Sequence, residues 1–388
     1  MKVFLIPSWH PTPDKPNWCN WIKPHIQLAK SVAEEVIILQ VDQETNKSSD
    51  EIIELSKNHY YITSGEPKNR FHRNFFTYKK SLKKYNAKIE KLYQFAVRVH
   101  GKPDLIHAHV SMPAGYGAAS LGSQHSIPVI VTEHFSGFFW DHKFPWRIGS
   151  YYFEMRSKIN GFYTVSPGFK TEVENKTKIK VDDVFPNPIN TELFSPEPYK
   201  NEENIIKFAT TGNFGLRKGT DVLLKAFQSL PKSINWQLTI VGKRDSQNAF
   251  WNDLLNLLPQ ERLKLVEAVP QTGLREIYSQ NDIFIVSSRI ETANVSMLEA
   301  MACGCYVITS TINAPETLLT PEVATNYDNT AEGLRKAILS ISQTKNLPAR
   351  KDLRQFVLEN YSREQLKPKL SGIYQSFVNT GGISKIKN

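Results

Sequence analysis

The feature that most limits the fold is an alternation of short apolar runs with helix-patterned segments, in two series divided by a polar break. The first series holds "VFLI" (3–6), "EVIILQV" (35–41), "DLIHAHV" (104–110), "PVIVTEH" (128–134) and "GFYTVS" (161–166). The second holds "IIKFATTG" (205–212), "WQLTIVG" (236–242), "DIFIVSS" (282–288) and "CYVITS" (305–310). Strands that are apolar along their whole length are buried on both faces, and their alternation with helices implies parallel sheets. Between the series, "FPNPINTELFSPEPYKNEEN" (185–204) is rich in Pro, Asn and Glu and reads as a linker. At 388 residues the chain exceeds the ~250–300 at which a single core stops growing. The expectation is two doubly wound, Rossmann-like α/β domains, 1–190 and 200–360, facing a central cleft. A helix at 361–380 is free to pack back on the first domain. Open α/β sheets take ligands beyond the carboxyl ends of their strands, which places a site along that cleft.

Composition acts mainly by exclusion. With 40% hydrophobic and 22% charged residues the make-up is that of an ordinary soluble protein, and no stretch approaches the ~18–20 consecutive apolar residues of a membrane span. The apolar run of "MKVFLIPSW" is too short for a signal-peptide core and is interrupted by Pro7, so the cytoplasm is the expected location. Cys19, Cys303 and Cys305 make neither a disulfide framework nor a four-ligand zinc site, and read as thiols. No metal or cofactor is expected, and nucleic acid is not among the expected partners. The net charge of +10 is local: residues 68–102 hold eleven Lys and Arg against one acid, Glu90. A local field of this kind suggests a partner.

"RIETANVSMLEAMACGCYVITS" (289–310) carries the first chemical signal. Glu291 follows the carboxyl end of the "DIFIVSS" strand, Asn294 is a good N-cap, and Val295, Leu298 and Ala302 fall at helical spacing before the Gly304 stop. Glu299 then projects from the second turn. The N–H groups at 294–297, with Val295 among them, form an anion site of the kind that holds phosphate. A nucleotide sugar suits the layout, with diphosphate on the helix end and a carboxylate for the hydroxyls on either side. Alone, two glutamates read more readily as a cap and a solvated loop residue, given how common they are. The stretch "TTGNFGLRKGTDVLLKAF" (210–227) shifts the balance. It is strand, loop, then helix, with Gly212 and Gly215 permitting close backbone approach and Arg217 and Lys218 able to neutralise a leaving diphosphate. It lacks the P-loop spacing, so no NTPase is inferred.

Taken together, these segments resemble the retaining glycosyltransferases of the GT-B fold, family 4. The similarity runs through "DLIHAHVSMPAGYGAA", "VTEHFSG", "TVSPGFK", "FPNPINTELFSP", "GNFGLRKG", "VPQTGLREIYSQNDIFIVSS" and "ETANVSMLEAMACG", the last matching the family's Glu-x7-Glu pattern. The resemblance implies that Glu299 binds the ribose, Glu291 contacts the transferred sugar, Lys218 stabilises the diphosphate, and His134 lies near the reacting sugar. It implies a nucleoside diphosphate donor, UDP-sugar favoured, a hexose-type group, and a glycan or lipid-linked saccharide acceptor. The sequence offers no glycosidase-type nucleophile, and the family is assigned a front-face path in which the leaving phosphate takes the acceptor's proton. Departures stand at Asn213, where the family has Arg, at Asn294, where it has Gly, and at Glu267, where Gly is common near the base. "PSWHPTPDKPNWCNW" (7–21) replaces the family's glycine-rich acceptor-side loop. A nucleotide-sugar epimerase and a non-catalytic nucleotide-sugar-binding protein remain alternatives on the same fold.

Two further features are open to more than one reading. His107 and His109 point to one face of their strand and suit either an acceptor contact or a structural role; His134, at a strand end, has the stronger functional case. In 70–92, Phe71, Phe75, Tyr78, Leu82, Tyr85, Ile89 and Leu92 form one helical stripe, with Lys79, Lys80, Lys83, Lys84, Lys88 and Lys91 off it. A pair of helices packed on the first sheet is the plain reading. Residues 70–85, with several aromatics and six cations but no acid, also suit an anionic membrane surface, which would make the chain peripheral at the inner membrane face.

Overall fold

The computed structural model describes residues 1–12, 19–42, 48–64, 75–140, 144–198, 205–310, 319–320, 322–344 and 347–379. The chain forms two compact units, unit 1 (Met1–Asn187 with Leu366–Asn388) and unit 2 (Pro188–Gln365). Each is a parallel α/β sheet with helices, the architecture of the GT-B fold.

Unit 1 begins with β1 (Lys2–Pro7), α1 (Ile22–Val32), β2 (Glu35–Asp42), β3 (Ile53–Ser56), β4 (His59–Thr63) and α2 (Phe75–His100). It continues through β5 (Leu105–His109), α3 (Tyr116–His125), β6 (Val129–Glu133), α4 (Gly137–Trp140), α5 (Phe144–Arg156), β7 (Gly161–Thr164), α6 (Pro167–Thr177) and β8 (Asp183–Val184). Strand order is β3-β4-β2-β1-β5-β6-β7-β8, all parallel except the β3–β4 pair. In β1, Val3, Phe4, Leu5 and Ile6 are all fully buried, as a strand covered on both faces requires. α6 starts where Ser166 caps it, its Oγ accepting from Phe169 N, with Pro167 as the first helical residue.

Unit 2 runs β9 (Ile206–Thr211), α7 (Thr220–Gln228), β10 (Trp236–Val241), α8 (Ala249–Asn256), β11 (Leu263–Val266), α9 (Gln271–Ser279) and β12 (Ile283–Val286). It ends with α10 (Val295–Ala302), β13 (Tyr306–Ser310), β14 (Ala324–Tyr327), α11 (Ala331–Thr344) and α12 (Arg350–Tyr361). Its strand order is β11-β10-β9-β12-β13-β14, parallel throughout. The last helix, α13 (Arg363–Val378), sets Leu366, Leu370 and Tyr374 one turn apart and buries them in unit 1's core with Val3, Leu5 and Ile22.

Two expectations change. The basic stretch is not a pair of helices: α2 is one helix of 26 residues, because the apolar stripe continues unbroken through Tyr78, Leu82, Tyr85, Ile89 and Leu92, all buried. Tyr78 and Tyr85 are therefore core residues, whereas Lys79, Lys80, Lys83 and Lys84 are exposed. Residues 70–74 and the side chain of Phe75 lie outside the described residues. The segment taken as linker is also core at its start, with Phe185 buried in unit 1 and Ile189 and Phe194 in unit 2. The units divide at Asn187–Pro188 within it. Among the described residues, no helix is long and apolar enough to cross a membrane.

Candidate functional site

Both sheets have a point where strand order reverses, and such points are where open α/β sheets receive ligands. In unit 2 it lies between β9, whose neighbour on one side is β10, and β12 on the other. Beyond these strand ends is a pocket whose lining includes Thr211, Gly212, Lys218, Ser287, Ser288 and Asn294.

The pocket is built by two loops that touch along their length. The loop after β9 makes a short 3₁₀ turn, Leu216–Lys218, and reaches α7 through Gly219 at φ +65°. Glycine is required there twice over: the backbone is left-handed, and a Cβ would stand 1.8 Å from the Ser287 carbonyl oxygen. Ser287 Oγ donates to the Lys218 carbonyl at 2.9 Å, and Arg289 N donates to the Arg217 carbonyl at 2.9 Å. The contact brings Lys218 Nζ within 2.6 Å of Glu291 Oε1, with both side chains partly exposed. Two residues 73 apart in sequence thus form one ion pair, and its lysine lines the pocket.

Asn294 adopts a left-handed conformation (φ 39°, ψ 67°), and its Oδ1 accepts from Met297 N at 3.2 Å. Asn tolerates this backbone better than most non-glycine residues, and its side chain caps α10. Val295 opens the helix. Glu299 lies in the next turn, buried, and burial pushes its carboxyl up to about 8 against a hydrogen bond from Gln271 that lowers it. It is therefore mainly protonated at neutral pH in the free protein. Asn213 and Arg217 are exposed, and Asn213 Oδ1 accepts from Lys243 N at 3.1 Å, tying the loop to the end of β10. Gly212 packs its backbone against Gly242, where a Cβ would meet the Gly212 carbonyl oxygen at 2.2 Å; a Cβ at Gly215 would make only an ordinary contact with the Asn213 carbonyl oxygen at 3.9 Å. Glu267 is exposed beyond β11.

Unit 1 has its own reversal point between β2–β1 and β5, where Pro7 pairs with His109. Four imidazoles gather there. His109 Nδ1 and His134 Nε2 are 3.0 Å apart, His25 Nε2 is 2.8 Å from Asn187 Oδ1, and His107 lies between Tyr374 Oη (2.8 Å) and Thr132 Oγ1 (2.9 Å). Trp21 stacks on His134 with ring centroids 4.1 Å apart. Burial holds His25 down to about 4 and His107 to about 3, and pushes His109 and His134 well below the usual range. Buried Glu133 accepts from the N–H groups of Ser111, His134 and Phe135, which fixes the strand end that carries His134.

The structure thus brings Gly212, Lys218, Glu291 and Asn294 together in unit 2, places Glu299 one turn further along α10, and puts His134 among the unit 1 imidazoles. Sequence reading missed Gly219, Ser287, Arg289 and Asp221 in unit 2 and His25 and Tyr374 in unit 1. Only Gly219 had a local signal, a glycine between a basic pair and a helix start.

Two family models match the chain: Glycosyl transferases group 1 over residues 191–356 and Glycosyltransferase Family 4 over residues 54–193. One curated relative is a phosphatidylinositol N-acetylglucosaminyltransferase chain of Homo sapiens, 23% identical over 198 residues, 49% of this chain and 40% of the relative. The sulfoquinovosyl transferase of Arabidopsis thaliana is 20% identical over 225 residues, 53% of this chain and 42% of that protein. The chain thus spans less than half the length of these relatives. Among solved structures, sucrose-phosphate synthase from Thermosynechococcus elongatus superposes with a TM-score of 0.73 at 19% identity, covering 98% of this chain and 100% of that one. Anabaena HepE in complex with UDP gives a TM-score of 0.71 at 12% identity, covering 97% and 100%.

Proposed function

We propose that this chain, a glycosyltransferase of the GT-B fold, moves a hexose-type sugar from a UDP-sugar to a hydroxyl of a glycan or lipid-linked saccharide, with retention at the anomeric carbon. The observation that carries the reading is the Lys218–Glu291 pair at the reversal point of unit 2, over a pocket at the carboxyl ends of β9 and β12. A cation beside a carboxylate divides a nucleotide sugar as its chemistry requires. Lys218 neutralises the charge that grows on the diphosphate as the glycosidic bond breaks, and Glu291 accepts from sugar hydroxyls. Glu299 pairs with the ribose, and its protonated carboxyl can both donate and accept there. His134 is neutral, so its contribution is a hydrogen bond to a sugar hydroxyl rather than a charge. The leaving phosphate takes the acceptor's proton on the same face. The UDP held by the Anabaena structure supports the choice of base, and the lipid in the human relative's name supports a lipid-bearing acceptor. The exposed lysines of α2 suit an anionic membrane surface, which would bring such an acceptor within reach.

A screen of UDP-, GDP- and ADP-sugars by thermal shift and donor hydrolysis tests the reading, with a UDP-sugar expected to give the largest shift. Lys218→Ala should lower turnover by on the order of 10²-fold while UMP still binds, because its partner charge develops during bond cleavage. No shift with any donor would remove the reading, and conversion of donor to an isomer without acceptor would replace it with an epimerase.

A further inference from the structure

Three consecutive backbone carbonyls around the phosphate cation are each held from the loop after β12. Leu216 O accepts from Arg289 Nη1, Arg217 O from Arg289 N, and Lys218 O from Ser287 Oγ. Arg289 makes two of the three. The same guanidinium then forks onto Asp221, with Nη1–Oδ1 and Nη2–Oδ2 both 2.8 Å. Asp221 is buried in the first turn of α7, just past Gly219. One side chain therefore ties together the turn before Lys218, the helix after it and the strand loop that leads to Glu291.

We infer that Arg289 and Asp221 are positioning residues: as a clamp they fix the Lys218 backbone so that its ammonium meets the β-phosphate of the donor. The inference rests on the donor-site reading above. Arginine suits the position because its planar fork satisfies a carboxylate bidentately while a spare N–H reaches a carbonyl, which a lysine cannot do. The pair's value is geometric. Arg289 is 38% exposed, and ion pairs that wet contribute little on their own. Burial raises the Asp221 carboxyl, but the Arg289 bonds and charge outweigh it and hold it below the usual range, so the clamp is closed at neutral pH.

The clamp and a direct phosphate contact by Arg289 make opposite predictions. If Arg289 touched phosphate itself, Asp221→Ala would release it to bind more tightly, and its loss would add to that of Lys218. If it positions Lys218, both partners matter equally and neither matters once Lys218 is gone. The experiment is calorimetric titration of the full chain with UDP and UMP. Arg289→Ala and Asp221→Ala should each weaken UDP by about 10-fold and UMP by less than about 2-fold, and Arg289→Ala on a Lys218→Ala background should change UDP affinity by less than about 2-fold. Arg289→Lys should fail to restore UDP affinity. Equal losses for UMP and UDP would make the pair a general support of the fold and overturn the proposal. Additive loss with Lys218→Ala, or tighter UDP binding by Asp221→Ala, would overturn it in favour of direct contact. Wild-type protein that binds neither UDP nor GDP nor ADP would remove the donor-site reading itself, and the clamp with it.

Discussion

The two units share a parallel core with one central reversal of strand order and differ in how that point handles charge. In unit 2 the point is built from ion pairs, Lys218 with Glu291 and Arg289 with Asp221, the first three on loops that leave them partly in water and Asp221 buried in the first turn of α7. In unit 1 it is built from imidazoles kept neutral by burial, among aromatic rings. All ten histidines of the chain precede residue 143, and none falls in unit 2. The same strand arrangement thus holds a charged reversal point in one unit and a neutral one in the other. The difference also gives the imidazoles of unit 1 and Glu299 of unit 2 opposite expected responses to pH.

The largest effect expected is acid loss of unit 1. His25, His59, His107, His109 and His134 all have lowered pKa values, burial being the main cause in each. Below the ordinary value of 6.5 the unfolded chain takes up protons that the folded unit refuses, so stability is full above about pH 6.5 and falls as pH drops. Each imidazole that stays neutral costs about 1.4 kcal/mol per pH unit. Glu133, whose pKa burial raises, works the other way but is one group against five. Hydrogen exchange of the full chain, corrected for intrinsic rate, should show β5 and β6 losing protection between pH 7 and 5.5 while β9 and β12 keep theirs. Equal loss in both units, or loss in unit 2 first, would break the comparison.

How much of this was legible in the sequence differs between the units for a physical reason. The parallel strands were readable because strands buried on both faces are apolar without interruption, as in β1 and β12. Lys218, Glu291 and Glu299 could be named because each sits in a local pattern of strand, loop and helix. The contact between Lys218 and Glu291 could not, since it depends on β9 and β12 becoming sheet neighbours across an intervening β10–β11 excursion. Arg289 was lost among solvated cations for the same reason: its partner lies 68 residues away. In unit 1, period-two spacing put His107 and His109 on one face, but His25 comes from α1 and the Tyr374 hydroxyl on His107 comes from 267 residues away. Such a cluster is a product of tertiary packing, and no local pattern announces it. The α2 stripe shows the converse error. Its periodicity was visible throughout, yet the stretch read as a pair of helices, a break that packing does not require.

A smaller effect, of opposite sign, is expected from Glu299 in unit 2. Its folded value of about 8 exceeds the ordinary carboxylate value of 4.5 because of burial. Between these values the unfolded chain releases a proton that the folded unit keeps, so this group lowers stability as pH rises from about 4.5 to 8 and adds nothing further above that. Glu299→Gln preserves shape and removes the titration. The variant should match wild type near pH 5 and melt higher than wild type at pH 8. A variant less stable than wild type at pH 8 would mean that Glu299 is ionised in the fold, and the contrast between the two reversal points would narrow to the histidines alone.

The smallest effect per residue concerns the outer surface, and it follows from the correction to α2. With Tyr78 and Tyr85 in the core, the face that carries Lys79, Lys80, Lys83 and Lys84 offers a membrane charge without those two rings for insertion. Binding to an anionic bilayer should then be electrostatic in character, each lysine contributing about 1 kcal/mol near the lipid and the sum fading as salt shortens the screening length. Changing these four lysines to Gln should weaken co-sedimentation with phosphatidylglycerol vesicles and leave UDP affinity unchanged. The same change at four exposed lysines of unit 2 (Lys232, Lys264, Lys336 and Lys351) serves as the control, with little loss expected because they are spread over separate elements. Equal loss from both sets would mean that net charge alone drives binding and that unit 1 has no privileged face. Co-sedimentation that ignores salt and both sets would leave a soluble acceptor as the better reading, because an electrostatic surface contact has to weaken when either its charges or their range is reduced.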